Sequence, residues 1–349
     1  MISSSQEATT GSYVKMKAIA LISGGLDSIL AARLIKEEGL EVLPLNFRIP
    51  FYQRSKKGAS AGPDKTSWVA ENLGADLKII DIADDFLQLL LNPRHGFGSN
   101  INPCIDCKIL MLRKTKELMK ELDAAFVVTG EVLGQRPMSQ HKQALEIIDR
   151  ESALEGLILR PLCAKLLPET IPEREGWVAQ DKLLCFSGRT RRPQMELARK
   201  FNIKEYPNPA GGCLLTDPEF TKRLKDLMAH KELNLENVKL LKIGRHFRIS
   251  EQAKLIVGRN EKENDQLFSL AKENDNIFSP PDEMAGPISL GRGIFNEELV
   301  KLSCSITSRY CDLNGRSYTD IIYRRLPQGE ERMRKVLPLE EDKIIRLRI

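Results

Sequence analysis

Lys17-Ala18-Ile19-Ala20-Leu21-Ile22-Ser23-Gly24-Gly25-Leu26-Asp27-Ser28 is an apolar run that ends in a turn of hydroxyls and glycines. The run does not alternate with polar residues, so it reads as a strand buried on both faces. Leu26, Ile29, Leu30, Leu34 and Ile35 then fall close to helical spacing, and Gly39 stops them. A buried strand that turns at once into a helix is the opening of a βαβ unit.

Outward from this point the alternation continues. Residues 41–47 read as strand, 64–73 as helix, 77–82 as strand, 104–122 as a long helix, and 125–128 and 156–162 as strands. The fold class is therefore α/β, a parallel sheet with helices on both faces. The pattern fades at the Pro/Gly-rich break Asn208-Pro209-Ala210-Gly211-Gly212-Cys213. Beyond it, helices over 219–231 and 261–272 alternate with short strands at 238–243 and 254–257, and 305–325 mixes strand formers with turns. We expect a first domain over 16–216 and a smaller α+β domain over 217–349, preceded by a polar, disordered tail at 1–15.

Composition narrows the function classes. Of 349 residues 42% are hydrophobic and 29% charged, the balance of a globular protein. No apolar run approaches the roughly 20 residues of a membrane span, and the first fifteen lack the apolar core of a secretion signal. Seven cysteines, an odd number in a chain without such a signal, argue for reduced thiols and a cytoplasmic location. A net charge of +5 (53 basic minus 48 acidic residues) permits a nucleic-acid partner without demanding one.

In the Ser23–Ser28 turn, glycines let the backbone approach an anion and the helix N-terminus favours phosphate. Ser23 and Ser28 add hydroxyl donors. Asp27 suits the site only with a magnesium ion between it and the phosphates. No GxxxxGK[ST] occurs, which excludes the Walker-type loop. The plain alternative is a strand–turn–helix junction with glycines for geometry alone.

Asn102-Pro103-Cys104-Ile105-Asp106-Cys107 opens the long helix, and Cys213 follows Gly211-Gly212 a hundred residues later. A CxxC at a helix start lies near N–H groups that favour thiolates. The four histidines form no pair at ligand spacing, so zinc has no completion. Three cysteines suit a 4Fe–4S cluster with one open iron; a structural or redox CxxC is the alternative. Cys163, Cys185, Cys304 and Cys311 read as buried small hydrophobes, and Asp106 as a helix-start acid rather than a proton acceptor. Phe126-Val127-Val128-Thr129-Gly130-Glu131-Val132-Leu133-Gly134-Gln135 is a strand entering a turn. Its loop should face the same crevice as the Ser23 loop, because ligands of open parallel sheets bind beyond the strands' carboxyl ends.

SGGLDS resembles the PP-loop of the N-type ATP pyrophosphatases, a HUP-like, adenine nucleotide alpha hydrolase type of fold. SGGLDS, NPCIDCK and TGEVLGQRPMSQ in this order resemble the catalytic domain of tRNA thiouridine synthetases, closest to the ThiI-like branch. The NPCxxC with a distant GGC is also similar to the cluster-binding tRNA 2-thiouridine synthetases. The resemblance covers about residues 17–215. It implies ATP and Mg2+ at Ser23, Gly24, Gly25, Leu26, Asp27 and Ser28, with Gly130 and Glu131 on the second nucleotide-side loop. It further implies sulfur transfer through Cys104 and Cys213, with Cys104, Cys107 and Cys213 holding the 4Fe–4S cluster.

The implied reaction is ATP-dependent adenylation of a uridine carbonyl oxygen in tRNA, release of pyrophosphate, and replacement of AMP by sulfur to give 4-thiouridine or 2-thiouridine. Sulfide or a sulfur-donor protein would supply the sulfur. No THUMP-type region or rhodanese domain is expected within these residues. Residues 242–248 and 258–261 resemble the small domain of NFACT-type RNA-associated proteins. Lys239, Lys242, Arg245, His246 and Arg248 are candidates to track phosphates there, with Phe247 to stack a base; a strand with a solvated basic face is the alternative. Arg189, Arg191 and Arg192 form a second basic loop, in the first domain. A PP-loop ligase or sulfurtransferase for a small molecule, and a non-catalytic ATP- and RNA-binding module, are the competing readings. A homodimer is compatible with either.

Overall fold

The computed structural model describes residues 16–52, 65–206 and 213–349. The expected tail, Asp64 and residues 208–212 of the Pro/Gly break lie outside them. The chain divides into two units, one running to Gly212 and the other comprising Cys213–Ile349 together with Ser99–Ile101.

The first unit is built on β1 (Lys17–Leu21), α1 (Leu26–Glu37), β2 (Glu41–Arg48), α2 (Lys65–Leu73), β3 (Lys78–Asp81), α3 (Ala83–Leu91), α4 (Cys104–Leu122), β4 (Phe126–Thr129), α5 (Lys142–Glu151), β5 (Ile158–Leu159), α6 (Ile171–Arg174) and α7 (Arg192–Lys200). Its five strands are ordered β3-β2-β1-β4-β5, and every pair is parallel. The unbroken apolar runs of β1 and β4 reflect this central position. Ala18, Ile19, Phe126 and Val127 are wholly buried with Ile29, Leu30 and Ile35 of α1. Helix α1 packs on α2 and α7, and α4 on α3 and α5, as right-handed crossovers running to either side of β1 require. Strand order reverses between β1 and β4. The carboxyl ends of those two strands therefore flank a topological switch point.

Four helices of this unit, α3, α5, α6 and α7, have no counterpart in the sequence reading. The strand expected over 156–162 shrinks to Ile158–Leu159. Gly156, at φ +75°, turns the chain just before it, and Arg160 just after it enters buried ion pairs.

The second unit contains α8 (Pro218–Ala229), α9 (Leu235–Leu240), β6 (Arg245–Ser250), β7 (Ala253–Val257), α10 (Glu261–Ser269), β8 (Asn276–Ser279), β9 (Ser289–Gly293), α11 (Glu297–Ser308), β10 (Thr319–Arg325), β11 (Arg332–Val336) and α12 (Glu341–Leu347). Its six-stranded sheet runs β11-β10-β8-β9-β7-β6 and is antiparallel throughout. Ile101 and Leu215 are joined by a backbone hydrogen bond within this unit.

Of residues 238–243, expected as strand, the first three instead end α9 and the last three form a turn. Asn234 caps that helix by accepting from the Asn237 N–H at 2.9 Å, and Val238 and Leu240 bury its inner face. The strand starts only after Gly244, whose φ is +71° and whose missing Cβ would lie 2.6 Å from the Val257 carbonyl oxygen. Likewise 305–308 completes α11, capped by Asn296, and the strand waits until Thr319.

Arg248 is not a free basic residue. Its guanidinium holds Asp226 at 2.6 Å and Glu232 at 2.8 Å, and Lys254 adds a second cation to Asp226 at 3.2 Å. Removing one partner strands buried charge, although Arg248 keeps a side-chain exposure of 13%. Arg248→Met should therefore lower stability by about 2 to 3 kcal/mol, somewhat under the cost of breaking a fully buried pair. Urea unfolding followed by circular dichroism checks the value.

Candidate active site

The residues from Ser23 to Ser28 occupy the carboxyl end of β1. Asn46 fixes the entry: its side-chain amide donates to the Ile22 carbonyl at 2.5 Å. Gly24 turns the chain at φ +88°. Ser23 Oγ accepts from the Gly25 N–H at 3.2 Å, and Ser28 Oγ donates to the Gly25 carbonyl at 2.8 Å. Gly25 occupies the N-cap position of α1 without a side-chain cap. The first-turn N–H groups are thus left to a ligand, and a helix N-terminus favours an anionic one.

Gly130, at the carboxyl end of β4, closes the other wall. An added Cβ would sit 2.4 Å from the Ser28 backbone nitrogen and 2.5 Å from the Asp27 carbonyl carbon. The two loops touch backbone to backbone.

Asp27 Oδ2 accepts from the side-chain amide of Gln135 at 3.1 Å. Its Oδ1 is buried and, among the described residues, has no hydrogen-bond partner. Burial raises the carboxyl above its ordinary value, while Gln135, Arg191 and Arg136 oppose that shift. A buried carboxylate oxygen without a donor fits a hard cation such as magnesium. Arg191, expected at RNA, is placed to act on Asp27; Arg189 and Arg192 are exposed.

Glu131 takes a part that the sequence did not reveal. It is 5% exposed, and its carboxylate binds Arg160 at 2.9 Å, the Thr129 hydroxyl at 3.2 Å and Lys108. Arg160 also grips Asp149 through two bonds, at 2.8 and 2.6 Å. Despite burial, the two cations hold the Glu131 carboxyl down at about 2. Its oxygens face this network, so Glu131 positions the nucleotide-side loop rather than meeting a ligand. Lys108 lay within the quoted NPCIDCK, one helical turn beyond Cys104, and that spacing was the available signal.

Cys104 and Cys107 share the first turn of α4, both half-buried. The Cys104 thiol donates to Asn102 Oδ1 at 2.8 Å. Burial pushes this thiol up, outweighing Lys108, Arg136 and Asn102, so the helix start does not by itself make it a thiolate. Asp106 anchors a loop, accepting from the backbone N–H groups of Arg94 and His95 at 3.1 and 3.0 Å. Cys213 opens the second unit and is half-buried. Among the described residues no three His, Cys, Asp or Glu side chains converge into a metal-holding group.

Other expectations are corrected. Cys163 and Cys304 are buried, but Cys185 is exposed and Cys311 half-buried. Phe247 is fully buried and His246 is 1% exposed, so neither reaches an RNA from β6. Arg245 lies over the Tyr310 ring at 4.5 Å and donates to the Gly258 carbonyl at 3.1 Å. Lys239 and Lys242 are exposed.

Comparison with known proteins adds to this geometry. Residues 13–166 match the family model for the thiamine biosynthesis protein ThiI. Residues 244–347 match the model for the NFACT protein RNA binding domain. The chain is 31% identical over 119 residues to a tRNA-specific 2-thiouridylase of Pelobacter propionicus, covering 33% of each chain. It is 29% identical over 146 residues to a probable tRNA sulfurtransferase of Thermococcus kodakarensis, covering 42% of this chain and 36% of that one. The match thus spans about a third of these relatives' length. A U34-tRNA thiolase from Methanococcus maripaludis, solved with its [4Fe-4S] cluster, overlaps 65% of this chain and 72% of its own at 17% identity and a TM-score of 0.31, too slight to argue from. Among the described residues no helix is long and apolar enough to cross a membrane.

Two outcomes follow from these loops. Gly130→Ala drives a Cβ into the first turn of α1, so stability read by urea unfolding should fall by about 1 to 3 kcal/mol, the scale of overpacking a close contact. Glu131 has a depressed carboxyl, so its stabilisation is present above the ordinary carboxylate range and is lost as pH falls from about 4.5 towards about 2. Glu131→Gln should flatten the acid-unfolding profile in that window, read by circular dichroism.

Proposed function

We propose that this chain is an ATP-dependent tRNA sulfurtransferase. The observation that carries the reading is the uncapped α1 N-terminus at the switch point, with the unpartnered Asp27 Oδ1 beside it. The names of the relatives support tRNA as the substrate, and the NFACT-type domain supports RNA as the partner.

ATP would lie with its phosphates against the N–H groups of Gly25, Leu26, Asp27 and Ser28, with the Ser23 and Ser28 hydroxyls alongside. Asp27 would hold Mg2+, which neutralises charge on the departing phosphates. Gln135 orients the Asp27 carboxylate, while Arg136 and Arg191 supply positive field at the same point. Gly130 keeps the second wall close, and Glu131 with Lys108 and Arg160 holds that wall in place. The uridine carbonyl oxygen attacks the α-phosphorus, a P–O bond forms, and the bond to the β-phosphate breaks as pyrophosphate leaves. Sulfur then attacks the activated carbon, the C–O bond breaks, and AMP leaves.

Cys104, Cys107 and Cys213 are the candidate sulfur-handling residues, supplied by sulfide or a sulfur-donor protein. A 4Fe–4S cluster on these three would offer an open iron for hydrosulfide; without one, a sulfur-donor protein would pass its sulfane sulfur to one cysteine as a persulfide, and a resolving cysteine would form a disulfide with it as the outer sulfur leaves for the activated carbon. Arg189, Arg192 and Lys242 are the exposed cations proposed for phosphate contacts, Arg245 contributing at its edge. The protein would act in the cytoplasm.

Incubation of the anaerobically purified chain with tRNA, ATP, magnesium and sulfide should yield a thiouridine, identified by mass spectrometry of digested nucleosides. Asp27→Ala should lower pyrophosphate release by at least about 100-fold, the scale of losing a key charge-stabilising contact. Cys213→Ala should keep pyrophosphate release and make no thiouridine. Full thiolation by Cys213→Ala would remove that residue from sulfur transfer, and pyrophosphate release without tRNA would point to a small-molecule substrate.

A further inference from the structure

We propose that the second unit takes an unpaired nucleotide of its RNA into a cavity at the β10–β11 end of its sheet, away from residues 242–248. This rests on RNA being the partner and adds where, and in what form, RNA is bound. The cavity has a volume of about 620 Å3 and lies between the turn joining β9 to α11 and the hairpin joining β10 to β11. That is within the roughly 300–1,000 Å3 of small-ligand sites. It accommodates one base with its sugar and phosphate, and a base in a duplex cannot enter it without leaving its partner.

The walls offer the two features a nucleotide needs. Phe295 and Tyr323 line the cavity, both packed on Phe278, with ring centroids 6.1 and 6.2 Å away. Ile294 stands beside them at 68% exposure. A single-stranded base stacks on such surfaces whatever its identity. Arg324, Arg325 and Arg332 surround this apolar wall. Their charges are held loosely: Arg332 meets Glu330, and Arg324 meets Glu331, each at 3.8 Å. Arg325 donates to the neutral side chain of Asn274 at 2.7 Å. By contrast Arg248 and Arg292 clasp carboxylates at 2.6 Å. Glu297, the other acid on the wall, is already paired with Arg334. The cavity therefore keeps surplus positive charge next to aromatic surface, which complements a phosphate next to a base.

The hairpin that carries these three arginines is tightly closed. The Gly329 N–H donates to the Arg325 carbonyl at 2.7 Å, and a Cβ on Gly329 would lie 2.4 Å from that oxygen. The cationic rim is thus set before any ligand arrives, and little ordering remains to be done on binding.

The test uses the full chain and a fluorescein-labelled 12-nucleotide RNA, read by anisotropy at several salt concentrations. The same strand annealed to its complement, and an abasic version, serve as comparisons. Wild type should bind the single strand at least about tenfold tighter than the duplex or the abasic strand. The double variant R325Q/R332Q, whose side chains are on the surface, should lose about tenfold or more. Its log–log salt slope should fall by about 1.4, two phosphates at roughly 0.7 each. Thermal melts matching wild type would establish that the fold is kept. Undiminished binding by a folded R325Q/R332Q would overturn the cavity assignment and leave the RNA reading standing. Equal binding of the abasic strand or the duplex would overturn the nucleotide pocket, and no RNA binding by wild type would overturn both readings.

Discussion

The site depends on a contact between two backbones. Gly130 lies against the first turn of α1 so closely that no side chain fits between them. That contact brings the loop after β4 to the edge of the loop after β1, and the strand order makes it available by placing β4 directly beside β1. The crevice of an open parallel sheet is ordinarily a gap between diverging loops. Here one of its walls is held at van der Waals range, and the uncapped N–H groups of α1 have a fixed surface opposite them.

A close approach of this kind needs bracing from behind, and Glu131 provides it. Its carboxylate joins β4 to α4 through Lys108 and to the residue following β5 through Arg160. The cost of burying these charges is offset because Glu131 and Arg160 each have more than one partner. Asp27 is the exception in the site. One of its oxygens is held by Gln135 and the other has no donor among the described residues, which leaves it the least satisfied carboxylate oxygen where an anionic substrate and its counter-ion would meet.

Much of this was legible in the sequence wherever local pattern sets structure. The apolar run before Ser23 declared a doubly buried strand, and the helix over Cys104–Leu122 was readable to its ends. What failed were features decided by distant partners. Arg248 looked like a solvated cation in an alternating strand, yet Asp226 lies 22 residues earlier and the fold joins them. Phe247 looked free to stack because alternation gives two faces but not which of them is covered. Residues 238–243 carry β-branched and aliphatic side chains that suit either state, and the Asn234 cap decided for helix in the first three. Glu131 was recognised as part of a motif, but its residue type does not tell whether it points to a ligand or into the protein.

The buried set of Glu131, Lys108, Arg160 and Asp149 also constrains how such a chain can drift. Each member is neutralised by the others, so changing one alone leaves an uncompensated charge in the interior. Divergence at these four positions is expected to be concerted, through exchanges that conserve the total charge or remove a pair together. The surface arginines face no such restriction and can vary one at a time. The sequence signature of the site thus extends beyond its ligand-facing loops, to a quartet scattered over four separate stretches of chain and tied together by electroneutrality.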